Sequence, residues 1–319
     1  MVIVSLLRAF LQRIALGFVA VWGVLTIIFA LFTMTRHWVI EQQVALEQWG
    51  GEEMTEEEEQ ARIDAYLAER NLDGSTWDRY TEWMWNMITL DWGESFETGQ
   101  DVFPMVMDAT ARTILYVVPA VGLALIIGLV VGVYAAMQPD GHLATMGVGT
   151  AYLLFAIPNF YVGGMLISLA KADVISPSPL VFEHTLPILL TATSLLGGYV
   201  SFSRAHSLEY VTAEFVTLVR AKGATPLRVT KHVLRNGAIP MFSMVFTEAL
   251  ALLVLAVFVI ETLFGIQGLG LMLFEAVETR DLPVLLGGVM VLIAVGVIAN
   301  IFQDVSYTIL DPRVDTESR

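Results

Sequence analysis

The sequence contains no cysteine among its 319 residues, which removes disulfides, thiolate metal sites and iron–sulfur clusters from consideration and leaves the redox compartment open. It has only three lysines, Lys171, Lys222 and Lys231, beside 32 acidic residues. A formal charge of −15 with so little lysine suits a high-salt, halophilic setting, where dense carboxylates stay hydrated while salt screens their repulsion. Neither a phosphate loop of the form G-x-x-x-x-G-K-[ST] nor an H-E-x-x-H or G-x-S-x-G motif occurs. The usual ATP cradle and recognisable hydrolytic centres are therefore missing, and the chain is not expected to be an enzyme or to hold a cofactor.

What the chain has instead is apolar length. Hydrophobic residues make up 56% and the mean hydropathy is +0.67, which excludes an ordinary soluble domain and makes this an integral membrane protein in contact with the lipid bilayer. The first apolar run, Ile14 to Met34, follows Arg8 and Arg13 and exceeds the ~7–15-residue core of a cleaved signal, so it reads as a retained span. Further runs at about 113–137, 145–170, 185–203, 238–262 and 284–310 each meet or approach the ~20 residues needed to cross the hydrocarbon as a helix. Six spans put both termini on one side. Outside the first loop, ten basic residues fall on the side of the termini and three (Arg112, Lys171 and Arg280) on the other, so the termini are expected to be cytoplasmic and the protein to sit in the plasma membrane.

Between the first two spans lies a polar segment, residues 35–111, with 18 acids and four arginines, hence 4 − 18 = −14. Within it, Thr55 is placed to cap a helix whose first turn is filled by Glu56–Glu59. So many carboxylates raise the thought of calcium. The run lacks the alternating Asp/Asn and the turn glycine of a calcium loop, and a solvated acidic face is the plainer reading. Trp77, Trp83, Trp85 and Trp92 follow near the expected membrane surface, and interfacial anchors are the plainer reading of them than a box of rings that stacks a ligand.

Arg204 to Pro240 is a basic interruption holding six of the 17 lysines and arginines. Ser207 can cap a helix with Glu209 in its first turn and Leu208, Val211, Phe215 and Leu218 on one face. Gly223 can take the left-handed conformation that ends a helix, and Thr225-Pro226 can open the next. Two short helices around a glycine turn suit a docking knob for a soluble partner. A solvated loop that only sets topology fits the same residues. Three carboxylates fall inside spans: Glu248, Glu261 and Asp304. Charges in hydrocarbon are costly, which makes these candidates for a polar pathway or an interhelical contact. Glu248 would meet a solute amine if it faced a lumen and would be a hydrogen-bonded strut if it faced a neighbour. Gly128, Gly132, Gly163 and Gly164 let helices approach closely, and Pro158-Asn159 breaks a span locally.

Several of these phrases resemble one family. "FVTLVRAKGATPLRVTKHVLRNGAIP" is similar to the cytoplasmic loop of ABC importer permeases of the dipeptide/oligopeptide branch. Leu90 to Phe96 ("LDWGESF"), "IIGLVVGVYAAM", "AIPNFYVGGMLI", Glu261-Thr262-Leu263-Phe264 with Gly268-Leu269-Gly270, and Asp311-Pro312-Arg313 look like further family phrases. The resemblance implies an all-α fold: six transmembrane helices of the type I importer permease kind, with a large acidic extracytoplasmic loop. The first helix would occupy 1–34, the loop 35–111, a five-helix core 112–312 with coupling loop 204–240, and a cytoplasmic tail 313–319. It also implies a second homologous permease, two ATP-binding subunits and an extracellular solute-binding protein as partners, with no nucleic acid. The ATPase-coupling residues would be Phe215, Leu218, Val219, Arg220, Ala221, Lys222 and Gly223. Here Thr217, Leu218 and Val219 replace the family's Glu-Ala-Ala. The solute would be a peptide, a nickel complex or a sugar.

Two other classes compete. An ion-coupled secondary transporter would use Glu248, Glu261 and Asp304 as its relay. A sensor would bind ligand on the acidic segment, although no signalling domain follows within the sequence. The charge asymmetry makes the topology testable. In this cysteine-free background, Glu58→Cys and Thr225→Cys should react with impermeant thiol reagents from opposite faces of the membrane. Labelling of both from one face would overturn the six-span reading.

Overall fold

The structure, a computed structural model, describes residues 2–35, 40, 55–70, 72–176, 178–225, 228–234 and 257–310, with side chains described only from residue 14 to 301. The described chain is helical and without strands; its one isolated bridge joins Glu94 to Asp101. It forms two compact units, Met1–Thr110 with Met272–Val297, and Ala111–Leu271 with Ile298–Arg319.

In the first unit, helix α1 (Val2–Met34) is an apolar span with only 11% of its membrane-length window buried. Leu16, Phe18, Ile27 and Leu31 are exposed, as suits a helix facing lipid. Its buried side, Leu25 and Phe29, receives helix α3 (Thr76–Thr89). Phe29 meets Tyr80 and Trp83 edge-on, at 5.4 and 5.0 Å between ring centroids, and Thr26 and Tyr80 share a 2.9 Å hydrogen bond. Helix α2 (Glu56–Glu69) starts with the expected cap. Glu58 N–H donates to the Thr55 hydroxyl and Thr55 N–H donates to the Glu58 carboxylate. Those two donors from Thr55, backbone first and hydroxyl second, hold the Glu58 carboxyl below the ordinary carboxylate value.

The four tryptophans divide. Trp77 and Trp85 are exposed along one face of α3 with Ile88, in keeping with anchorage at the membrane surface. Trp83 and Trp92 turn inward, so the expectation of four interfacial anchors is corrected for these two. Trp92 is 5% exposed, donates its indole N–H to the carbonyl of Met87 and packs edge-on against Phe103. Gly287 leaves the room that its ring occupies. Two further ties hold this unit. Ser95 Oγ donates to Asp281 Oδ2 at 2.5 Å, and Arg280 donates to the carbonyl of Phe32 at 2.8 Å.

The second unit contains the greater part of α4 (Val102–Met137), then α5 (His142–Ala156), α6 (Asn159–Lys171) and α7 (Leu186–Val211). A wide π turn, Leu180–Thr185, leads into α7. The span expected over 145–170, with its local break at Pro158-Asn159, is two helices bent by 75°. At 15 and 13 residues, each is about 20 Å long, too short to cross alone. Pro158 has no N–H to continue the ladder. Asn159 bridges the break by donating to the carbonyl of Leu190 and the hydroxyl of Ser194, while Thr193 donates to its amide oxygen. The chain continues through α8 (Glu214–Ala221), α9 (228–234), α10 (Val257–Phe264), α11 (Leu269–Glu278) and α12 (Leu282–Leu310). Four described helices are long and apolar enough to cross a membrane, and two bent pairs bring the number to six if each pair is one crossing. Most of the expected span 238–262 lies outside the described residues.

Close approach of α4 to α7 rests on two glycines one turn apart. A Cβ on Gly128 would stand 2.5 Å from Tyr199 Cβ, and one on Gly132 would stand 2.6 Å from Ser203 Cβ and 2.8 Å from the Arg204 nitrogen. Both are below any normal contact, and the Arg204 backbone cannot rotate away. Ala120, Ala124, Leu195 and Tyr199 close the seam above them. Gly132→Ala should therefore cost about 1–3 kcal/mol through overpacking and lower the thermal midpoint of the detergent-solubilised protein. Gly122→Ala, on the same helix with open space around it, should leave the midpoint unchanged or raise it.

Candidate functional site

Helix α7 does not end at the polar Arg204–Ser207 stretch. Ser207 is fully buried inside a continuous helix that runs to Val211, so the expected cap at Ser207 and the helix over 208–222 are corrected. The break falls at Thr212 and Ala213, where Thr212 Oγ1 turns back to the carbonyls of Leu208 and Glu209 and Ala213 is extended. Helix α8 then begins with Glu214, not Glu209, in its first turn.

The far end of α8 is a Schellman termination. Gly223 N–H donates to the carbonyl of Arg220 at 2.9 Å and Ala224 N–H to that of Val219 at 3.3 Å. Gly223 has φ +73, a value only glycine adopts without strain. The carbonyl of Thr225 accepts from Val229 N–H at 3.1 Å, which opens α9. Pro226 lies outside the described residues. The two helices close on a small core of Val216, Val229 and Val233, each no more than 2% exposed. Phe215, Val219 and Ala224 pack around it, and Thr230 Oγ1 contacts Met137 Sδ at the end of α4.

Of the candidate coupling residues, Leu218 is 56% exposed, and Arg220, Ala221, Lys222 and Gly223 are exposed beside it. Val219 and Phe215 face inward. Among its described residues the hairpin thus offers one large apolar side chain, Leu218, amid polar neighbours. Val216, which no sequence motif singles out, is what makes it a folded object.

Glu261 lies at the second break, where α10 meets α11 at 88°. It is 0% exposed. Thr113 Oγ1 donates to Glu261 Oε1 at 2.5 Å and Tyr116 Oη at 3.2 Å, while Leu271 N–H donates to Oε2 at 2.8 Å. Thr113 in turn accepts the N–H of Leu269 at 2.8 Å. Glu261 and Thr113 together satisfy the first-turn donors of α11, with the carboxylate at the positive end of the helix. The two glycines of the phrase have separate jobs. A side chain on Gly268 would collide with the Glu261 carboxylate, and one on Gly270 would stand 2.8 Å from the backbone nitrogen of Phe258. Glu248 lies outside the described residues, and Asp304 falls within α12 where only the backbone is described. Among the described residues, no group of His, Asp or Glu is arranged to hold a metal ion.

Replacing Glu261 tests this knot. Glu261→Ala strands the hydroxyls of Thr113 and Tyr116 and the N–H of Leu271, at about 1–3 kcal/mol for each buried donor. Glu261→Gln keeps the shape but turns an amide N–H₂ toward a donor. The Ala variant should lose the most thermal stability in detergent and the Gln variant an intermediate amount. Equal stability of all three proteins would show that the knot contributes nothing.

A family model described as "Binding-protein-dependent transport system inner membrane component" matches residues 128–316. A Brucella ovis protein assigned as a peptide permease is 30% identical over 274 residues, 80% of this chain and 85% of its own length. The dipeptide transport system permease protein DppB of Bacillus subtilis is 28% identical over 299 residues, 92% of this chain and 95% of its own. The oligopeptide transport system permease protein AppB of the same organism is 26% identical over 272 residues, 80% of this chain and 86% of its own. The region matched by the family model contains the hairpin, Glu261 and the bent helix pairs but not Thr113 or Tyr116, and the chain belongs to the family of multi-pass inner membrane components of binding-protein-dependent transport systems.

Proposed function

We propose that this chain is the membrane-spanning permease subunit of an ATP-driven ABC importer for peptides or similar small solutes. It pairs with a second, homologous permease, docks two ATP-hydrolysing subunits on its cytoplasmic face and receives solute from an extracytoplasmic binding protein. Relatives named for dipeptide and oligopeptide transport support the solute class. The observation that carries the coupling role is the hairpin 214–234. It is packed on its own valine core, stopped by a glycine in a left-handed conformation, and offers Leu218 to solvent. A passive connector has no need of such a core. An apolar knob on a stiff base is what a cleft in a soluble subunit can grip.

The alternative of an ion-coupled carrier finds no support at Glu261, whose oxygens are taken by Thr113, Tyr116 and Leu271. That side chain acts as a strut.

Gly223 gives the clean test, because nothing lies within 4 Å of the Cβ that a substitution would add. Any defect would then come from backbone strain alone, about 1 kcal/mol or more for a β-branched residue at positive φ. Gly223→Val should insert normally but lose ATP-dependent uptake in vesicles and retain less co-purified ATPase. Gly223→Asn, which tolerates this φ, should keep both. Leu218→Ala should weaken ATPase binding with little dependence on salt, since the loss is apolar. Normal ATP-dependent uptake by Gly223→Val would show the hairpin to be a passive connector.

A further inference from the structure

The unit that carries the acidic segment contains a cavity of about 460 Å³, lined by that segment and by Pro283 and Leu286 of α12, within the range that small-molecule sites occupy. Its walls are mixed: Trp83, Trp92, Phe96 and Leu286 stand beside Asn86 and Ser95. Its charged lining is Glu69, Arg70, Glu82 and Glu94.

The one cation of this lining is already engaged. Arg70 pairs with Glu69 at 3.2 Å, lies over the Tyr66 ring at 3.9 Å and donates to the carbonyl of Phe96. Its side chain is only 19% exposed, so it is held in place and is not available to an incoming anion. Glu82 and Glu94 remain exposed at the rim without a hydrogen bond or ion pair from their side chains among the described residues. Subtracting the Glu69–Arg70 pair, the cavity carries two negative charges. It is lined mainly by a segment whose formal charge is −14 over residues 35–111. An anion is repelled here, and a neutral apolar molecule leaves the carboxylates without use. Trp83 and Trp92 line the same space; indole faces are the aromatic surfaces that attract cations most strongly, and the Arg79 guanidinium already lies 5.6 Å from the Trp83 ring. Trp92 is fixed by its bond to Met87 and its contact with Phe103, so that wall is formed before any ligand arrives.

We propose that this cavity is a binding site for a small organic cation, a protonated amine or guanidine on an apolar or aromatic stem. The charged end sits between Glu82 and Glu94 and the stem lies against Trp83, Trp92 and Leu286. This site belongs to the unit that carries the acidic segment and does not depend on the hairpin or on ATP coupling.

The test uses the full chain in lipid nanodiscs, titrated calorimetrically with phenethylamine and with its uncharged analogue 2-phenylethanol. The amine should bind at least about tenfold more tightly, the difference a partly desolvated cation–carboxylate and cation–indole contact provides. Glu82→Gln/Glu94→Gln changes only exposed side chains and should abolish that preference while leaving the thermal midpoint intact. Trp83→Ala should weaken both compounds. Equal binding of the amine and the alcohol, a preference that survives in the double variant, or no saturable binding of the amine at millimolar concentration would each overturn the assignment.

Discussion

In hydrocarbon a backbone polar group without a partner costs several kcal/mol, so a helix can break inside a membrane only where side chains take over the ladder. Among the described residues the chain breaks its spans twice and meets the constraint in two ways. At Pro158 the lost donor is proline's own, and Asn159 ties the new helix start to α7. At Gly265 the break exposes the first turn of α11, and a carboxylate buried to 0% exposure takes its donors. Glu261 is therefore where it is because the chain turns there. The threonine and tyrosine of α4 that complete the knot fix the turn to the neighbouring helix.

What could be read in the sequence was whatever depends on residues near each other in the chain. The capping box at Thr55, the left-handed Gly223 and the break at Pro158 are local, and each stands as spacing and residue type suggested. The multi-pass helical architecture was legible for the same reason, since apolar length is a local property. The end of α7 was not. Serine is a good cap when water is beside it, but Ser207 is buried, so packing overrode the local preference.

Long-range partnerships were hidden as well. Nothing near Ser95 announces an aspartate 186 residues away, and nothing near Trp92 announces that Gly287 makes space for its ring. Counting Arg280 as an outer charge likewise missed that it is 7% exposed and bonded to the carbonyl of Phe32. The alanines, glycines and threonines that hold helices together carry little pattern in sequence, because their contribution is to be small where a neighbour is large.

The uninterrupted course of α7 has a mechanical consequence. With its leading π turn it forms a helical segment of 32 residues, Leu180–Val211, about 48 Å from end to end at 1.5 Å per residue. That exceeds the ~30 Å hydrocarbon thickness, and the segment hands directly to the hairpin across two residues. A stiff bar of this length turns small angles into useful distances: a tilt of about 5° about one end moves the other by roughly 4 Å, most of a helical turn. The glycines at 128 and 132 bring α4 against the bar at Tyr199 and Ser203, in the half that ends at Val211. A pivot located there gives the longer arm, and hence the larger excursion, to the opposite end.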